Sequence, residues 1–228
     1  MAHGGSRHST RCDVNLAGVR LAAILPMPPA ENPAAALTPL GGEPAVCRMV
    51  RSLTRVAGQV LVVVDEAIAD RFRAALAGLT VDILTVDGSA TRADCLALAG
   101  RSLAVPSLVG VRAGCQGATH VLLADQRHPL MAADMIDRVV AALADGADLV
   151  VPVLPVTDTV KTVDAGGTIT ATVDRSTLRL LQYPRGMRAD RLPEESLAGA
   201  VTVDGDADAV SVQLPADAAL LEAIIACR

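Results

Sequence analysis

The sequence predicts an α/β fold: a doubly wound, mostly parallel sheet with a projecting β-arm. Three observations carry this. First, short β-rich runs recur at Leu21–Leu25, Gln59–Val64, Val81–Val86, Thr119–Ala124 and Asp148–Val153. They are apolar on both faces, the mark of a parallel sheet covered on two sides. Second, helical stretches separate them. Pro44 suits the first turn of a helix that runs through Val56. Ala67–Leu79 and Arg92–Leu103 place apolar residues at i, i+3 and i+4. Met131–Ala144 does the same and meets Gly146, a plausible residue just past a helix end. Third, residues 155–182 break the rhythm. Two Val/Thr-rich runs flank "DAGG", a hairpin signal whose alternation leaves little to bury. A lone two-stranded ribbon is marginal in water, so the arm, residues 155–179, calls for a second chain to support it. The chain then returns through "DAVSVQLPADAALLEAII", read as a last strand and a helix opened by Pro215. Residues 1–18 read as a mobile leader and 19–228 as a single domain that includes the arm.

Composition narrows the function. Apolar residues make up 51% of the 228, yet there is one Phe and one Tyr, Phe72 and Tyr183, so the core is packed with Val, Leu, Ile and Ala. A net charge of −5 argues against a nucleic-acid or anionic-membrane surface. The lone lysine is Lys161, the single candidate for any phosphate-binding ammonium. Five widely spaced cysteines without a C-x-x-C pattern suit free thiols in a reducing cytoplasm. No apolar run approaches the length of a membrane span.

In open α/β sheets ligands bind beyond the carboxyl ends of the strands. That singles out the Pro26–Gly42 loop, the "DGSATRADC" loop and Asp125 after "THVLLA". Asp125 ends an apolar strand and is expected to be exposed at this edge; a turn-forming or capping Asp is the plainer reading. Asp208 precedes the expected last strand and could share a hard cation such as Mg²⁺ with Asp125, or be a solvated acidic turn. Lys161 and Arg175 lie on the arm, as ligand groups or as solubilising charges. Cys115, His120 and His128 match no standard metal spacing.

Four segments, in order, resemble 2-C-methyl-D-erythritol 4-phosphate cytidylyltransferases of non-mevalonate isoprenoid synthesis: "VVDGSATRADCLALAG", "VLLADQRHPL", "PVTDTVKTVDAGGTITATVDRSTL" and "DAVSVQLPADAALLEAII". The resemblance implies a nucleotide-diphospho-sugar transferase-like fold and a homodimer joined by the arm. It implies CTP and a sugar-alcohol phosphate as substrates and Mg²⁺ as cofactor. By position, Thr159, Arg175 and Lys161 would hold the substrate phosphate. Asp125, Ser89, Arg92 and Cys95 would face the nucleotide, with Asp125 and Asp208 on the metal. Cys95 stands where the family has a base-reading Ser, and His128 where it has an Arg. The first loop departs further. The family's P-A-A-G-x-G-x-R-M and P-K-Q become "PMPPAENPAAALTPLGG", with Pro33 and Ala35 near the Arg and Lys positions and Ser211 at a later Lys. Pro28 and Pro29 remove amide donors, and Glu31 adds a negative charge. Losing one preorganised charge stabiliser costs roughly 10²–10³ in rate, so losing several implies a loss on the order of 10⁴. Two functions stay open: a cytidylyltransferase, or a non-catalytic paralogue that binds a phosphorylated ligand or a partner protein.

Overall fold

A computed structural model describes residues 18–104, 117–192 and 196–227. Cys12, Cys115 and the expected leader before Gly18 lie outside the described residues. The chain opens with β1 (Leu21–Met27), followed by two 3-10 turns and a small ribbon of β2 (Pro39–Leu40) and β3 (Glu43–Pro44). Next come α1 (Ala45–Thr54), β4 (Gln59–Asp65), α2 (Ala69–Ala75), β5 (Asp82–Val86) and α3 (Arg92–Ala104). After these run β6 (His120–Leu123), α4 (Ala133–Ala144), β7 (Leu149–Pro155), and the hairpin of β8 (Val160–Val163) and β9 (Ile169–Val173). The remainder is β10 (Arg179–Leu181), β11 (Arg185–Arg188), β12 (Val201–Asp204) and α5 (Ala218–Ala226).

The main sheet has the order β10-β7-β11-β6-β1-β4-β5, with β12 also paired to β7. The β6-β1-β4-β5 half is parallel, as is β12 on β7, while β11 runs antiparallel between β6 and β7. The both-face apolar strands have a simple cause. Ala23, Leu25, Val60, Val62 and Val64 pack under α1, α2 and α4, through Met49, Leu53, Phe72, Ile136 and Leu143. Ile24, Leu61 and Val63 on the other face pack with Cys95, Leu96 and Ala99 of α3. Fully burying one such aliphatic side chain contributes about 1.5–3 kcal/mol, so the alternation of two apolar faces fixes the layers.

Three expectations change. The α2 helix is shorter than Ala67–Leu79, because Gly78 takes a positive φ of +86° and the chain turns there. Pro44 is the residue before α1 and not inside its first turn. The last strand is Val201–Asp204, upstream of Asp208; the Val210–Val212 stretch carries no strand and instead sends Val212 and Leu214 into a small cluster with Leu40, Leu130 and Leu221 of α5. The arm forms as its alternation predicts, a separate two-stranded sheet. Its turn is closed by Asp164, whose Oδ1 accepts from the Gly166 and Thr168 amides at 2.9 Å each.

Candidate functional site

The carboxyl end of β1 leads into a loop built from prolines. Pro29–Glu31 and Pro33–Leu37 form two 3-10 turns, hinged at Asn32, whose φ is +52°. The amides of Glu31, Asn32, Ala35 and Thr38 donate to carbonyls inside the loop at 3.0–3.3 Å. Those donors are therefore turned inward, and Pro28, Pro29 and Pro33 have none to give. The Glu31 carbonyl accepts from Gln126 Nε2 at 2.6 Å, which ties the loop to the end of β6.

Asp125 stands just past β6, as its place after the apolar run predicts, but it is not exposed: its accessibility is 0%. The reason is Arg127. Its Nε donates to Oδ1 at 2.9 Å and its Nη2 to Oδ2 at 2.7 Å, while its backbone amide also donates to Oδ1 at 2.9 Å. A bidentate guanidinium satisfies the carboxylate so well that it can leave water. Arg92 Nη1 lies 3.8 Å from both Asp125 Oδ2 and Glu31 Oε2. Burial alone would raise the Asp125 carboxyl, but the Arg127 hydrogen bonds and the charges of Arg127 and Arg92 hold it below the ordinary carboxylate range. These residues do not suit Mg²⁺ as they stand. That ion keeps several waters, and a fully enclosed carboxylate gives them no approach.

Behind this pair lies Tyr183, 8% exposed, within electrostatic range of Arg185, Arg92, Asp125 and Arg127. The Arg185 guanidinium stacks over its ring at 4.3 Å, and His128 tilts against it at 5.3 Å between centroids. Burial pushes the His128 imidazole down to about 4, with Arg127 and Arg185 adding and Asp125 opposing. His128 therefore stays neutral in the fold at pH values where the unfolded chain protonates it. Stability is expected to fall as pH drops from about 6.5 towards 4 and to level off below, by about 3 kcal/mol in all. Urea titrations of the wild type and of His128→Asn at pH 7 and pH 4.5 check this. A slope that survives the substitution overturns it.

The other sequence candidates are placed as follows. Ser89 is exposed, and both its amide and its hydroxyl donate to Asp87. Cys95 is fully buried on α3, and burial, with Asp94 and Glu31 adding, pushes its thiol up to about 11. It is thus a packed core group. Asp208 is exposed in a turn where its amide donates to Asp206 at 2.8 Å. Among the described residues, no group of three or more His, Cys, Asp or Glu is placed to hold a metal. On the arm, Thr159 is exposed, Lys161 Nζ donates to Thr172 Oγ1 at 2.6 Å, and the Arg175 Nη1 donates to the Thr157 carbonyl. The last contact places Arg175 at the base of the arm, near the start of the segment that carries Thr159.

Sequence reasoning missed Arg127, Arg185 and the supporting Gln182. Arg127 was legible in principle, since a cation two residues after an Asp can fold back onto it. Arg185 was not, because its place beside β6 depends on the antiparallel entry of β11. Among the described residues no helix is long and apolar enough to cross a membrane.

The model of one protein family, 2-C-methyl-D-erythritol 4-phosphate cytidylyltransferase, matches residues 30–213. The protein of that name from Saccharopolyspora erythraea is 36% identical over 231 residues, covering 92% of this chain and 95% of that one. Its counterpart from Frankia casuarinae is 35% identical over 210 residues, covering 84% and 74%. Among solved structures, a 4-diphosphocytidyl-2C-methyl-D-erythritol synthase superposes with a TM-score of 0.71 at 21% identity, covering 90% of this chain and 99% of that one. The Thermus thermophilus cytidylyltransferase does so with a TM-score of 0.68 at 22% identity, covering 90% and 98%. The fold follows from the structures and the family from the sequences: the chain belongs to the 2-C-methyl-D-erythritol 4-phosphate cytidylyltransferase family.

Proposed function

We propose that this chain keeps the substrate-recognition frame of a methylerythritol-phosphate cytidylyltransferase and binds a small phosphorylated ligand without transferring a cytidylyl group at the rate of its relatives. The observation that carries this reading is the first loop. Its amides at Glu31, Asn32, Ala35 and Thr38 are spent on internal carbonyls, so they cannot close on a triphosphate as a backbone cradle must. Glu31 adds a carboxylate at the same place. On the other side Thr159 and Arg175 keep the types that a phosphate corner needs. In this reading the protein is a single domain that forms a homodimer through the arm. Val163 and Ile169 of the arm and Leu180 of β10 are 60%, 62% and 53% exposed, apolar surface that a second copy would cover. The free thiols Cys47, Cys95 and Cys227 suit a reducing cytoplasm.

A second reading is favoured by identity with relatives named for the activity. There the chain joins CTP to methylerythritol phosphate with Mg²⁺ on Asp125 and Asp208 and releases pyrophosphate. Turnover separates the two. With CTP, methylerythritol phosphate and Mg²⁺, pyrophosphate release is expected at about 10⁻⁴ or less of the rate of an intact-loop relative. Sugar-alcohol phosphate alone should bind in the high-micromolar to millimolar range, roughly 4–6 kcal/mol, and Arg175→Ala should remove that binding. Robust release that is lost on Asp125→Asn establishes the transferase.

A further inference from the structure

Arg127 sits at the surface but commits its charge to the interior. Its backbone follows β6 by a few residues, and more than half of its side chain, 54%, is open to solvent. Yet the guanidinium turns back and spends Nε and Nη2 on a carboxylate that is wholly enclosed. What it leaves outside the fork is Nη1. Arg185 offers a second group of the same kind. Its Nε is buried without a hydrogen-bond partner among the described residues, and its plane is held over the Tyr183 ring at 4.3 Å. Tyr183 also lies within electrostatic range of Arg127 and Arg92. Three guanidiniums thus share this end of the sheet with two carboxylates, Asp125 and Glu31. The neighbourhood is net positive with no ion added.

We propose that the Arg127 guanidinium takes the place of a divalent cation on Asp125, so that this end of the sheet binds a phosphate or pyrophosphate group through Arg127 and Arg185 without metal. Two features require this division of labour. A dication placed on Asp125 would meet the positive fork of Arg127, and like charges at contact distance oppose each other strongly where water is excluded. A planar guanidinium, by contrast, can hold a carboxylate on one edge and offer a remaining N–H to an anion on another, which a lysine cannot do with the same geometry. Arg185 is half-buried with no carboxylate partner among the described residues, and the remaining N–H groups of its guanidinium can meet an oxyanion. The inference shares the ligand class with the reading above and excludes only the second reading's Mg²⁺ on Asp125; metal-independent consumption of CTP does not bear on it.

The test is titration of the full-length wild type by calorimetry, with Mn²⁺ alone and with inorganic pyrophosphate in the presence of EDTA. No saturable Mn²⁺ binding is expected up to about 1 mM, and pyrophosphate should bind in EDTA. Arg185→Ala and Arg127→Lys should each weaken pyrophosphate about tenfold or more, the loss of one charge-assisted contact. Arg175→Ala, on the arm, should leave this binding unchanged. Arg127→Gln removes the charge and frees Asp125, so it should gain Mn²⁺ binding that Asp125→Asn/Arg127→Gln does not show. Three results overturn the proposal. One is Mn²⁺ binding to the wild type that Asp125→Asn removes. Another is pyrophosphate binding that appears only with a divalent cation. The third is pyrophosphate binding that Arg175→Ala abolishes while Arg185→Ala and Arg127→Lys leave it intact. The wild-type titrations decide whether the binding is independent of metal even if a variant folds poorly, and the variants decide where the anion sits. Metal-independent turnover of CTP would overturn the proposed function and leave this inference standing.

Discussion

Arg127→Ala is expected to lower the stability of the fold by about 3 kcal/mol, the low end of the range for breaking a buried ion pair. The size follows from what is left behind. Asp125 has no exposed surface while the fork is in place, and truncating Arg127 lets water back to only part of its carboxylate, which keeps the loss at the low end. Two of its hydrogen bonds go, and only the Arg127 backbone amide and the more distant Arg92 Nη1, at 3.8 Å, remain to answer it. Arg92 is the other reason the estimate is not larger. In a chain of this size about 3 kcal/mol corresponds to a fall of roughly 6–12 °C in the melting temperature. The double variant Asp125→Asn/Arg127→Gln removes both charges at once and should recover most of the loss, because replacing a buried pair costs far less than orphaning one member. The pH dependence gives a second check. Native Asp125 titrates below its ordinary value of 3.8, so the stabilisation it contributes is present above that value and is lost as pH falls through the depressed one. The gap between wild type and Arg127→Ala should therefore narrow at acid pH. Equal melting temperatures for the two proteins at pH 7 would show that the fork contributes nothing.

This pair also shows where the sequence stops being readable. Asp125 could be placed at the ligand end of the sheet because the run Thr119–Ala124 stops just before it, and a short bounded apolar run marks a buried strand and its end. Its burial could not be read, since it depends on the rotamer of Arg127. The sheet core was legible for the same reason that β1 and β4 are buried on both faces: Val, Leu and Ile runs admit no other layer. The strand β11 was not, because "RGMR" carries two arginines and a glycine. Its place is set by α4, which comes so close that a Cβ on Gly186 would lie 2.6 Å from Val139 Cγ1. That is a tertiary contact with no local signature. The last strand was assigned to the wrong valines for a related reason. Val201–Val203 and Val210–Val212 alternate alike, and only pairing with β7 chooses between them. The hairpin of the arm, by contrast, was legible, while its two ends, Pro155 and Arg179, join the main sheet in β7 and β10. Its turn chemistry and polar alternation are local, and among the described residues its strands pair only with each other.

Gly205→Ala is expected to have the other large effect, a loss of about 3 kcal/mol or more. A Cβ at Gly205 would fall 2.1 Å from Gln182 Oε1 and 3.0 Å from the Val153 carbonyl. The backbone carbonyl belongs to β7 and cannot retreat, so the glutamine must. Gln182 is 4% exposed and holds the turn after β12 with both ends of its amide. Its Nε2 donates to the Asp206 carbonyl at 2.7 Å and the Ala209 carbonyl at 2.9 Å, and its Oε1 accepts from the Asp206 amide at 2.8 Å. Displacing it breaks three hydrogen bonds in a buried place, each worth about 1 kcal/mol, and strands polar atoms whose desolvation is then uncompensated. The consequence is local as well as global, because Asp208 sits in the turn that Gln182 holds. Amide exchange at residues 206–209 should accelerate in Gly205→Ala by far more than exchange in β1 or β4. Gln182→Leu provides the comparison: it removes the same three bonds without the steric clash, so its loss should approach that of Gly205→Ala. If Gly205→Ala melts within 2 °C of the wild type while Gln182→Leu does not, the backbone at residue 205 can move, and the close approach does not constrain this turn.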